Sequence, residues 1–315
     1  MNVVALAGGI GAGKFLRGLV RAVPPRNVTV VVNTADDIEL HGLHVSPDLD
    51  SVTYWLGTVM DRERGWGRRE ETFRATEELR RFDADGSWFG LGDLDLATHL
   101  FRTGLLRSGA TLSEATALVA ARFGLASRIL PMSDDPVATR IDAVSMGRPC
   151  DLHFQEYWVQ RHAADEVKAV RYEGAAAARP APGVLEAVAE ADAVVFPPSN
   201  PVASIGPILA VPGIRDAVAA RRDRAVGVSG IVGGAPLAGM ADRLLPVAGV
   251  EVSAAGVAEM YRDLLSGWVM DTADERLRDR VAALGMRVAV TDTVMTGDVA
   301  AEHVARTALS LIGMR

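Results

Sequence analysis

A glycine-rich segment near the start of the chain could bind phosphate. Gly8, Gly9 and Gly11 follow a short apolar run and precede a segment with helical spacing. Glycines at such a junction present bare backbone N–H groups and the positive end of a helix dipole to an anion. The segment departs from a P-loop because Phe15 stands where Ser or Thr would hold magnesium, and Lys14 breaks the dinucleotide pattern G-x-G-x-x-G. The alternative interpretation is a tight strand-to-helix turn without a ligand.

Acidic residues follow the second apolar run of the sequence. Among them are Asp48 and Asp50, and in a parallel sheet the loops after both runs would lie at the same edge. Carboxylates close to phosphates are unfavourable unless a cation lies between them, which predicts that these two residues bind Mg²⁺. For Asp48, capping of a helix that begins near Ser51 is an equally good interpretation.

Three further loops with small polar residues follow predicted strands. They contain Ser133 with Asp134, Ser199 with Asn200, and Ser229. Hydroxyl and amide groups at strand ends suit the recognition of a nucleotide, although each is also ordinary turn chemistry. Their recurrence at several strand ends favours a nucleotide-binding crevice.

The segment 51–123 differs in composition from the rest of the chain. Trp, Arg and Glu are frequent in it, and its periodicity indicates three or four helices and no clear strand. Trp66 could cover a flat heterocycle or belong to a local core. We predict that 51–123 is an inserted helical subdomain and that 1–50 and 124–315 form the nucleotide-binding core.

A short acidic string in this segment could also contribute to a site. Asp93 stands at the start of a helical pattern, where an aspartate is commonly only a cap. His99 follows Asp95 by four residues and shares its helical face, although a structural, hydrogen-bonded histidine is the commoner outcome. Alone, these residues indicate no particular chemistry.

Short β-branched runs alternate with helical patterns over much of the sequence. This alternation predicts an α/β fold with a mostly parallel sheet and helices on both of its faces. Segment 137–171 instead indicates short strands around an aromatic helix, as in a small antiparallel extension. The predicted strands cover 3–7, 28–33, 128–130, 193–196, 225–229 and 287–290, and the predicted helices cover 14–22, 184–191, 214–221, 252–265, 273–284 and 299–312.

The composition excludes several classes of protein. With 315 residues, 49% of them hydrophobic and 23% charged, the chain is long enough for one large domain or two, and it is neither disordered nor collagen-like. Forty acidic against 33 basic residues argue against nucleic acid and anionic membranes as partners. The single cysteine, Cys150, fits a reducing cytosol, and the longest uncharged runs contain too many prolines or glycines for a membrane span. We therefore expect a cytoplasmic protein.

In combination, these motifs resemble the 2-phospho-L-lactate transferases of coenzyme F-420 biosynthesis, known as CofD in archaea and FbiA in actinobacteria. The resemblance extends over almost the whole chain, and so many long strings in one order are specific although no single string is. Two positions depart from the family pattern, since Leu94 stands where Arg is usual and Gly230 where Pro is common. The matching strings are GGIGAGK (8–14), VVNTADD (31–37), SPDLDSVTY (46–54), RGWG (64–67), GLGDLDLATH (90–99), PMSDDPVAT (131–139), HFQEYWV (153–159), PSNPVASIGPIL (198–209) and EVSAAGVAEMY (251–261).

The resemblance implies a particular transfer reaction. A phosphoryl group that carries a three-carbon acid would pass from a guanosine diphosphate-linked donor to the ribityl hydroxyl of the deazariboflavin Fo, with release of GMP. The acid is lactate in archaeal members and enolpyruvate in actinobacterial ones, and the sequence contains no motif that separates the two. The resemblance also implies a Rossmann-like core, Mg²⁺ as cofactor and a homodimer.

The resemblance also suggests roles for the residues singled out above. Asp48 and Asp50 would hold Mg²⁺, and Asp50 would also lie near the acceptor hydroxyl. A general base is not obligatory, and if the reaction uses one, Asp50 is the candidate. Trp66 and Asp93 would contribute to the acceptor site. The guanine nucleotide and its phosphates would contact Gly8, Gly9, Gly11, Ser133, Asp134, Ser199, Asn200 and Ser229.

Two other functions remain as alternatives. One is a non-catalytic, nucleotide-sugar-binding regulator similar to the YvcK-type proteins, which share the same core; the helical segment with its Trp and Asp93 strings argues against it. The other is a nicotinamide-dependent dehydrogenase, which the broken glycine fingerprint disfavours.

Overall fold

Seven parallel strands form the central sheet of the computed structural model, which describes residues 1–314. Fourteen strands are present in the described residues, and seven of them lie outside this sheet in smaller antiparallel pairs or triplets. The strands are β1 (Val3–Ala7), β2 (Val28–Val32), β3 (Ile38–Leu40), β4 (Leu43–Val45), β5 (Arg128–Pro131), β6 (Ala138–Ser145), β7 (Arg148–His153), β8 (Glu166–Glu173), β9 (Ala193–Phe196), β10 (Ala225–Val228), β11 (Ile231–Val232), β12 (Ala235–Pro236), β13 (Gly267–Asp271) and β14 (Arg287–Thr291).

Helices cover both faces of the sheet. The α-helices are α1 (Gly9–Ala22), α2 (Pro47–Leu56), α3 (Arg74–Arg81), α4 (Asp93–Arg107), α5 (Leu112–Arg122), α6 (Val184–Glu190), α7 (Gly206–Ala210), α8 (Ile214–Ala219), α9 (Ala241–Leu244), α10 (Ala254–Met260), α11 (Arg278–Ala282) and α12 (Asp298–Leu311). Two π-helical turns cover Glu156–Gln160 and Pro201–Ile205, and 3-10 turns cover Pro25–Asn27, Ala175–Ala177, Arg222–Arg224 and Thr272–Leu277. In the part of the chain that the structure describes, no helix is both long and apolar enough to cross a bilayer.

The order of the strands places a crevice beside β1. Across the sheet the order is β14, β13, β10, β9, β1, β2, β5, so the chain builds outwards from β1 in one direction and then returns to β9 to build in the other. Neighbouring loops diverge at such a reversal, and ligands of open parallel sheets bind there, outside the carboxyl ends of the strands. The segments after β1 and β9 therefore border the expected binding crevice.

The side chains of β1 alternate between two apolar layers, as a strand covered on both faces requires. Val4 and Leu6 belong to the larger core, which also contains side chains of α6, α8 and α10. Val3, Ala5 and Ala7 belong to the second core, which is closed by α1 and α12. Both faces of β1 are thus buried in apolar cores, which fix the position of its carboxyl end.

The predicted α/β class, with a mostly parallel sheet between helices, is confirmed. All six predicted strands belong to the sheet, and segment 137–171 contains the antiparallel extension β7-β6-β8 around a short helix. The predicted helix over 14–22 begins earlier, at Gly9. Segment 51–123 contains most of α2 and all of α3, α4 and α5, while its status as a separate subdomain stays a prediction.

One strand of the sheet, β13, was not predicted. The pattern assigned 252–265 to a single helix, but α10 ends at Met260, and β13 follows after a turn. Every residue of β13 is buried, so the strand shows no alternation of apolar and polar residues. Leu264 and Leu265 continue the helical spacing into that turn, which concealed the boundary.

The contact between α1 and α12 provides a test of the packing. A Cβ atom at Gly18 would lie 2.1 Å from the carbonyl carbon of Ala301, so the two helix backbones touch at this glycine. We expect Gly18→Ala to lower the free energy of unfolding by about 2 kcal/mol, because the helices must separate.

Gly104→Ala is the matched control, because Gly104 lies inside α4 with open space around its Cα. There the same substitution should raise the free energy of unfolding by about 0.5–1 kcal/mol through helix propensity. Urea denaturation measures both variants, and equal effects at the two positions would contradict the packing described for α1 and α12.

Candidate active site

A cavity of about 930 Å³ occupies the crevice at the carboxyl edge of the sheet. Its walls come from the segments that follow β1, β9 and β10, from α2 and α4, and from the loop after β14. Such a volume is at the upper end of the usual range for small-molecule sites, about 300–1,000 Å³. Nine of the predicted site residues lie on its wall: Gly8, Gly9, Gly11, Asp48, Asp50, Trp66, Ser199, Asn200 and Ser229.

The glycine turn after β1 is held by Asp48. The Gly9 N–H donates to Asp48 Oδ1 at 2.7 Å, and the Asn33 side-chain amide donates to Asp48 Oδ2 at 2.9 Å. A Cβ atom at Gly8 would lie 2.4 Å from Asp48 Oδ2, so only glycine permits this approach. The side chain of Asp48 therefore does not cap its own helix, α2, and instead contacts the first turn of α1.

This contact changes which backbone groups are available to an anion. Asp48 engages the Gly9 N–H, and the Gly8 N–H donates to Ser199 Oγ at 3.3 Å. The N–H groups of the first helical turn have no intrahelical partner. The next ones in α1, those of Ile10 and Gly11, are therefore the groups that the turn offers to a phosphate. Ser199 lies in the loop after β9, so its hydrogen bond with Gly8 spans the point where the strand order reverses.

A second buried carboxylate, Asp36, lies close to Asp48. Asp36 is 3% exposed and lines the cavity, and its Oδ1 atom has no hydrogen-bond partner among residues 1–314. Burial and the charge of Asp48 raise the pKa of Asp36 well above its usual value, and burial raises the pKa of Asp48 to about 6. Asp36 and Asp48 are therefore hard to ionise at the same time. A bound divalent cation would stabilise the ionised forms of both carboxyl groups.

Asp50 belongs to a different group of side chains. Arg102 of α4 donates to both carboxylate oxygens of Asp50, through Nη1 to Oδ2 at 3.0 Å and through Nη2 to Oδ1. Both residues are buried, and the Asp50 carboxylate raises the pKa of Arg102 further. Because positions two apart on a helix face different directions, Asp48 and Asp50 of α2 contact different partners.

His99 connects Asp50 to a fourth acid, Asp95. His99 Nδ1 lies 3.5 Å from Asp50 Oδ2, and His99 Nε2 lies 3.5 Å from Asp95 Oδ1. The Tyr54 hydroxyl donates to the same Asp95 oxygen at 2.6 Å. Ligand atoms of Asp50, Asp95 and His99 all lie within 4.8 Å of one another, so these residues form a second group that could hold a cation.

Asp93, predicted at the acceptor site, does not line the cavity. Its carboxylate accepts hydrogen bonds from the backbone N–H groups of Arg74 and Ala75, at 3.3 and 3.1 Å, and from the Thr72 hydroxyl. It thus stabilises the first turn of α3, and these bonds lower its pKa. The acidic residue of that string on the cavity wall is Asp95.

Ser133 and Asp134 also lie away from the cavity wall. Ser133 Oγ donates to the Arg179 carbonyl at 2.7 Å, and Asp134 Oδ1 accepts from the backbone and hydroxyl of Ser113. Both residues follow β5, the edge strand two places from β1, so their loop is displaced from the central crevice. Their assignment to the nucleotide is therefore not supported by this geometry.

The cavity wall includes residues for which no role was predicted. Lys14 lies on it and makes no ion pair or hydrogen bond within the described part of the chain. The glycine motif contains this lysine, so a sequence signal for it existed. The apolar mouth comes from segments far apart in sequence and includes the partly exposed Trp66, Trp158, Leu237 and Val294. Trp66 and Trp158 belong to strings that match the family, whereas Leu237 and Val294 carried no signal.

Asp36 provides a test of the electrostatics of this site. A carboxyl whose pKa is raised in the folded state binds its proton more tightly there, so its contribution to stability falls as the pH rises from about 4 through the folded-state pKa. In metal-free protein we expect Asp36→Asn to raise the free energy of unfolding at pH about 8 by about 1–2 kcal/mol, with a smaller gain near pH 5.

Asp93→Asn is the control for this measurement, because the pKa of Asp93 is lowered and its carboxylate stabilises α3. This variant should be less stable than the wild type at pH about 8. Denaturation of both variants in EDTA across that pH range gives the comparison, and a loss of stability in Asp36→Asn at high pH would contradict the account.

Comparisons with known proteins identify the family. Residues 3–308 match the family model described as 2-phospho-L-lactate transferase CofD. The chain is 51% identical over 313 residues to a phosphoenolpyruvate transferase of Kitasatospora aureofaciens, covering 99% of this chain and 98% of that one. It is 41% identical over 294 residues to a 2-phospho-L-lactate transferase of Methanosarcina acetivorans, covering 93% and 94% of the two chains.

A solved structure supports the fold. A member of the UPF0052 family from Bacillus halodurans superposes with a TM-score of 0.63 at 18% identity, over 98% of each chain. At that identity the likeness concerns the fold alone. Because the family model covers nearly the whole sequence and the relatives align from end to end, the chain belongs to the 2-phospho-L-lactate transferase CofD family of enzymes.

Proposed function

We propose that this enzyme transfers a phosphoryl group carrying a three-carbon acid from a guanosine diphosphate-linked donor to the ribityl hydroxyl of deazariboflavin Fo, releasing GMP in coenzyme F-420 biosynthesis. The observation that carries the proposal is the pair of buried acids, Asp36 and Asp48, beside a glycine turn at the reversal of the strand order. That arrangement suits a diphosphate with a divalent cation. Family membership supplies the reaction class.

The names of the relatives favour enolpyruvate as the acid on the donor. Four relatives from Kitasatospora and Streptomyces, named phosphoenolpyruvate transferases, are 50–51% identical to this chain. The two Methanosarcina relatives named 2-phospho-L-lactate transferases are 40–41% identical. We therefore propose the enolpyruvyl donor as the better substrate.

The cytoplasmic location of the enzyme and its assembly into a homodimer stay predictions.

The glycine turn and its neighbours would bind the donor. Ile10 and Gly11 present the backbone N–H groups of α1 to the diphosphate, and Lys14, which has no ion-pair partner among residues 1–314, supplies a positive charge on the same wall. Asn200 and Ser229 follow the neighbouring strands and lie on the cavity wall, where we propose that the nucleoside would bind. The predicted donor contacts of Gly8 and Gly9 are indirect, because their N–H groups are bound by Ser199 and Asp48.

Mg²⁺ fits the group around Asp48 better than the group around Asp50. Asp36 Oδ1 is buried and has no hydrogen-bond partner within the described residues, and oxygen is the ligand that Mg²⁺ prefers. The Asp50 carboxylate is already neutralised by Arg102, and its neighbour His99 offers nitrogen. A bound Mg²⁺ would neutralise the charge that develops on the diphosphate as GMP departs.

The acceptor would lie between the apolar mouth and the second group of acids. Trp66 lines the cavity and is 41% exposed, and the guanidinium carbon of Arg64 lies 5.4 Å from the centroid of its ring. A flat heterocycle can stack there. Its ribityl chain would then reach Asp50, Asp95 and His99, which line the deeper wall.

The transfer itself asks the protein to position two reactants and to accept a proton. The acceptor oxygen forms a bond to the phosphorus that bears the three-carbon acid, and the bond from that phosphorus to the bridging oxygen breaks so that GMP leaves. Asp50 would orient the hydroxyl and take its proton, as predicted from the sequence. Its ion pair with Arg102 fixes the position of the carboxylate.

Asp50 and Arg102 can be tested as a pair. Asp50→Asn leaves a buried guanidinium without its counter-charge and should cost about 3 kcal/mol of stability. Its transfer rate should fall at least about 100-fold. The double variant Asp50→Asn, Arg102→Met should recover most of the stability but not the rate. Urea denaturation and steady-state GMP release measure the two effects, and recovery of the rate in the double variant would show that Asp50 is only structural.

The overall reaction can be tested directly. Incubation with Fo, Mg²⁺ and the guanosine diphospho-enolpyruvate donor should yield one GMP per molecule of phospho-enolpyruvyl-Fo, at a higher rate than with the lactyl donor. Mass spectrometry of the product measures which acid was transferred. Binding of a nucleotide-linked ligand without turnover would favour the YvcK-type regulator, and a faster reaction with the lactyl donor would contradict the choice of enolpyruvate.

A further inference from the structure

A second cavity, of about 260 Å³, shares no residue with the first. It lies among β8, α7, α8 and the end of α10. Leu209, Ala210 and Met260 make much of its wall apolar, and these side chains pack against the main core. Its volume is sufficient for a molecule the size of a single substituted ring.

Three polar side chains line this cavity. The Tyr172 hydroxyl is already used, since it donates to the Val202 carbonyl at 2.6 Å. Tyr261 is 4% exposed, and its hydroxyl has no hydrogen-bond partner among the described residues. Arg215 is exposed, and within residues 1–314 its guanidinium makes no hydrogen bond or ion pair. Burying a hydroxyl without a hydrogen-bond partner costs free energy of folding. Such hydroxyls are therefore unusual unless a ligand forms the missing hydrogen bond.

We infer that this cavity binds a small monocarboxylate with an apolar body. Two residues that line this cavity carry hydrogen-bond donors without a partner among residues 1–314, namely the Tyr261 hydroxyl and the Arg215 guanidinium. A single guanidinium balances one negative charge, and its planar fork matches the two oxygens of a carboxylate. The inference is independent of the function proposed for the larger cavity.

The protonation state of Tyr261 agrees with this assignment. Burial raises the pKa of its phenol well above the usual value, and the Arg215 charge only partly opposes that rise. The hydroxyl therefore keeps its proton at neutral pH and can donate to an anion.

The backbone of Gly206 borders the cavity because this residue has no side chain. A Cβ atom at Gly206 would lie 2.0 Å from the Tyr172 hydroxyl oxygen, so only glycine fits there.

Benzoate is a suitable probe, and benzamide is its neutral control. Saturation-transfer NMR on the full chain should detect saturable benzoate binding at millimolar concentrations and binding of benzamide about tenfold weaker. Arg215→Met should weaken benzoate binding about tenfold, and Tyr261→Phe about threefold, because the latter removes only one hydrogen bond.

Lys14→Met is the matched control, since it removes the unpaired cation of the larger cavity. Benzoate affinity should be unchanged in this variant. The inference is overturned if benzoate shows no saturable binding, if benzamide binds equally well, or if Lys14→Met rather than Arg215→Met abolishes binding. Circular dichroism of each variant establishes that the fold is retained.

Discussion

The carboxylate of Asp48 joins the three segments on which the site depends. It accepts hydrogen bonds from Gly9 at the start of α1 and from Asn33 after β2, while its own backbone belongs to α2. Asp48 is 6% exposed, and burial works against its charge. The hydrogen bonds and the positive ends of the helix dipoles offset part of that cost. The Asp48 carboxylate thus holds the glycine turn and occupies the Gly9 N–H, while the N–H groups of Ile10 and Gly11 stay available to a phosphate.

The same constraint explains why the acids of α2 act separately. Asp48 faces the glycine turn and the buried Asp36, whereas Asp50 faces α4, where Arg102 neutralises it and His99 links it to Asp95. One side of the cavity therefore has excess negative charge and suits a cation with a diphosphate. On the other side the charge of Arg102 balances that of Asp50, so this side suits a neutral hydroxyl. The two acids of one helix thus border two parts of the cavity that differ in charge.

Much of the fold could be predicted from the sequence. Short β-branched runs mark strands buried on both faces, and the glycine junction marks the loop at the strand-order reversal. The pattern failed at β13, whose fully buried residues lack alternation. It also could not distinguish aspartates at helix starts, because a cap and a ligand share one sequence signal. Asp93 stabilises α3, whereas Asp95, two positions later, lies on the cavity wall.

Other parts of the site depend on tertiary packing that no local pattern contains. The pairing of Asp50 with Arg102 connects positions 52 residues apart, and the displacement of Ser133 from the crevice follows from the edge position of β5.

The central claim is that a divalent cation at Asp48 is needed to bind the diphosphate. Calorimetric titration of GDP into the protein, with Mg²⁺ and with EDTA, measures this most directly. The account predicts binding that weakens at least about tenfold in EDTA and a metal dependence that disappears in Asp48→Asn. Equal affinity with and without the cation in the wild type would contradict it.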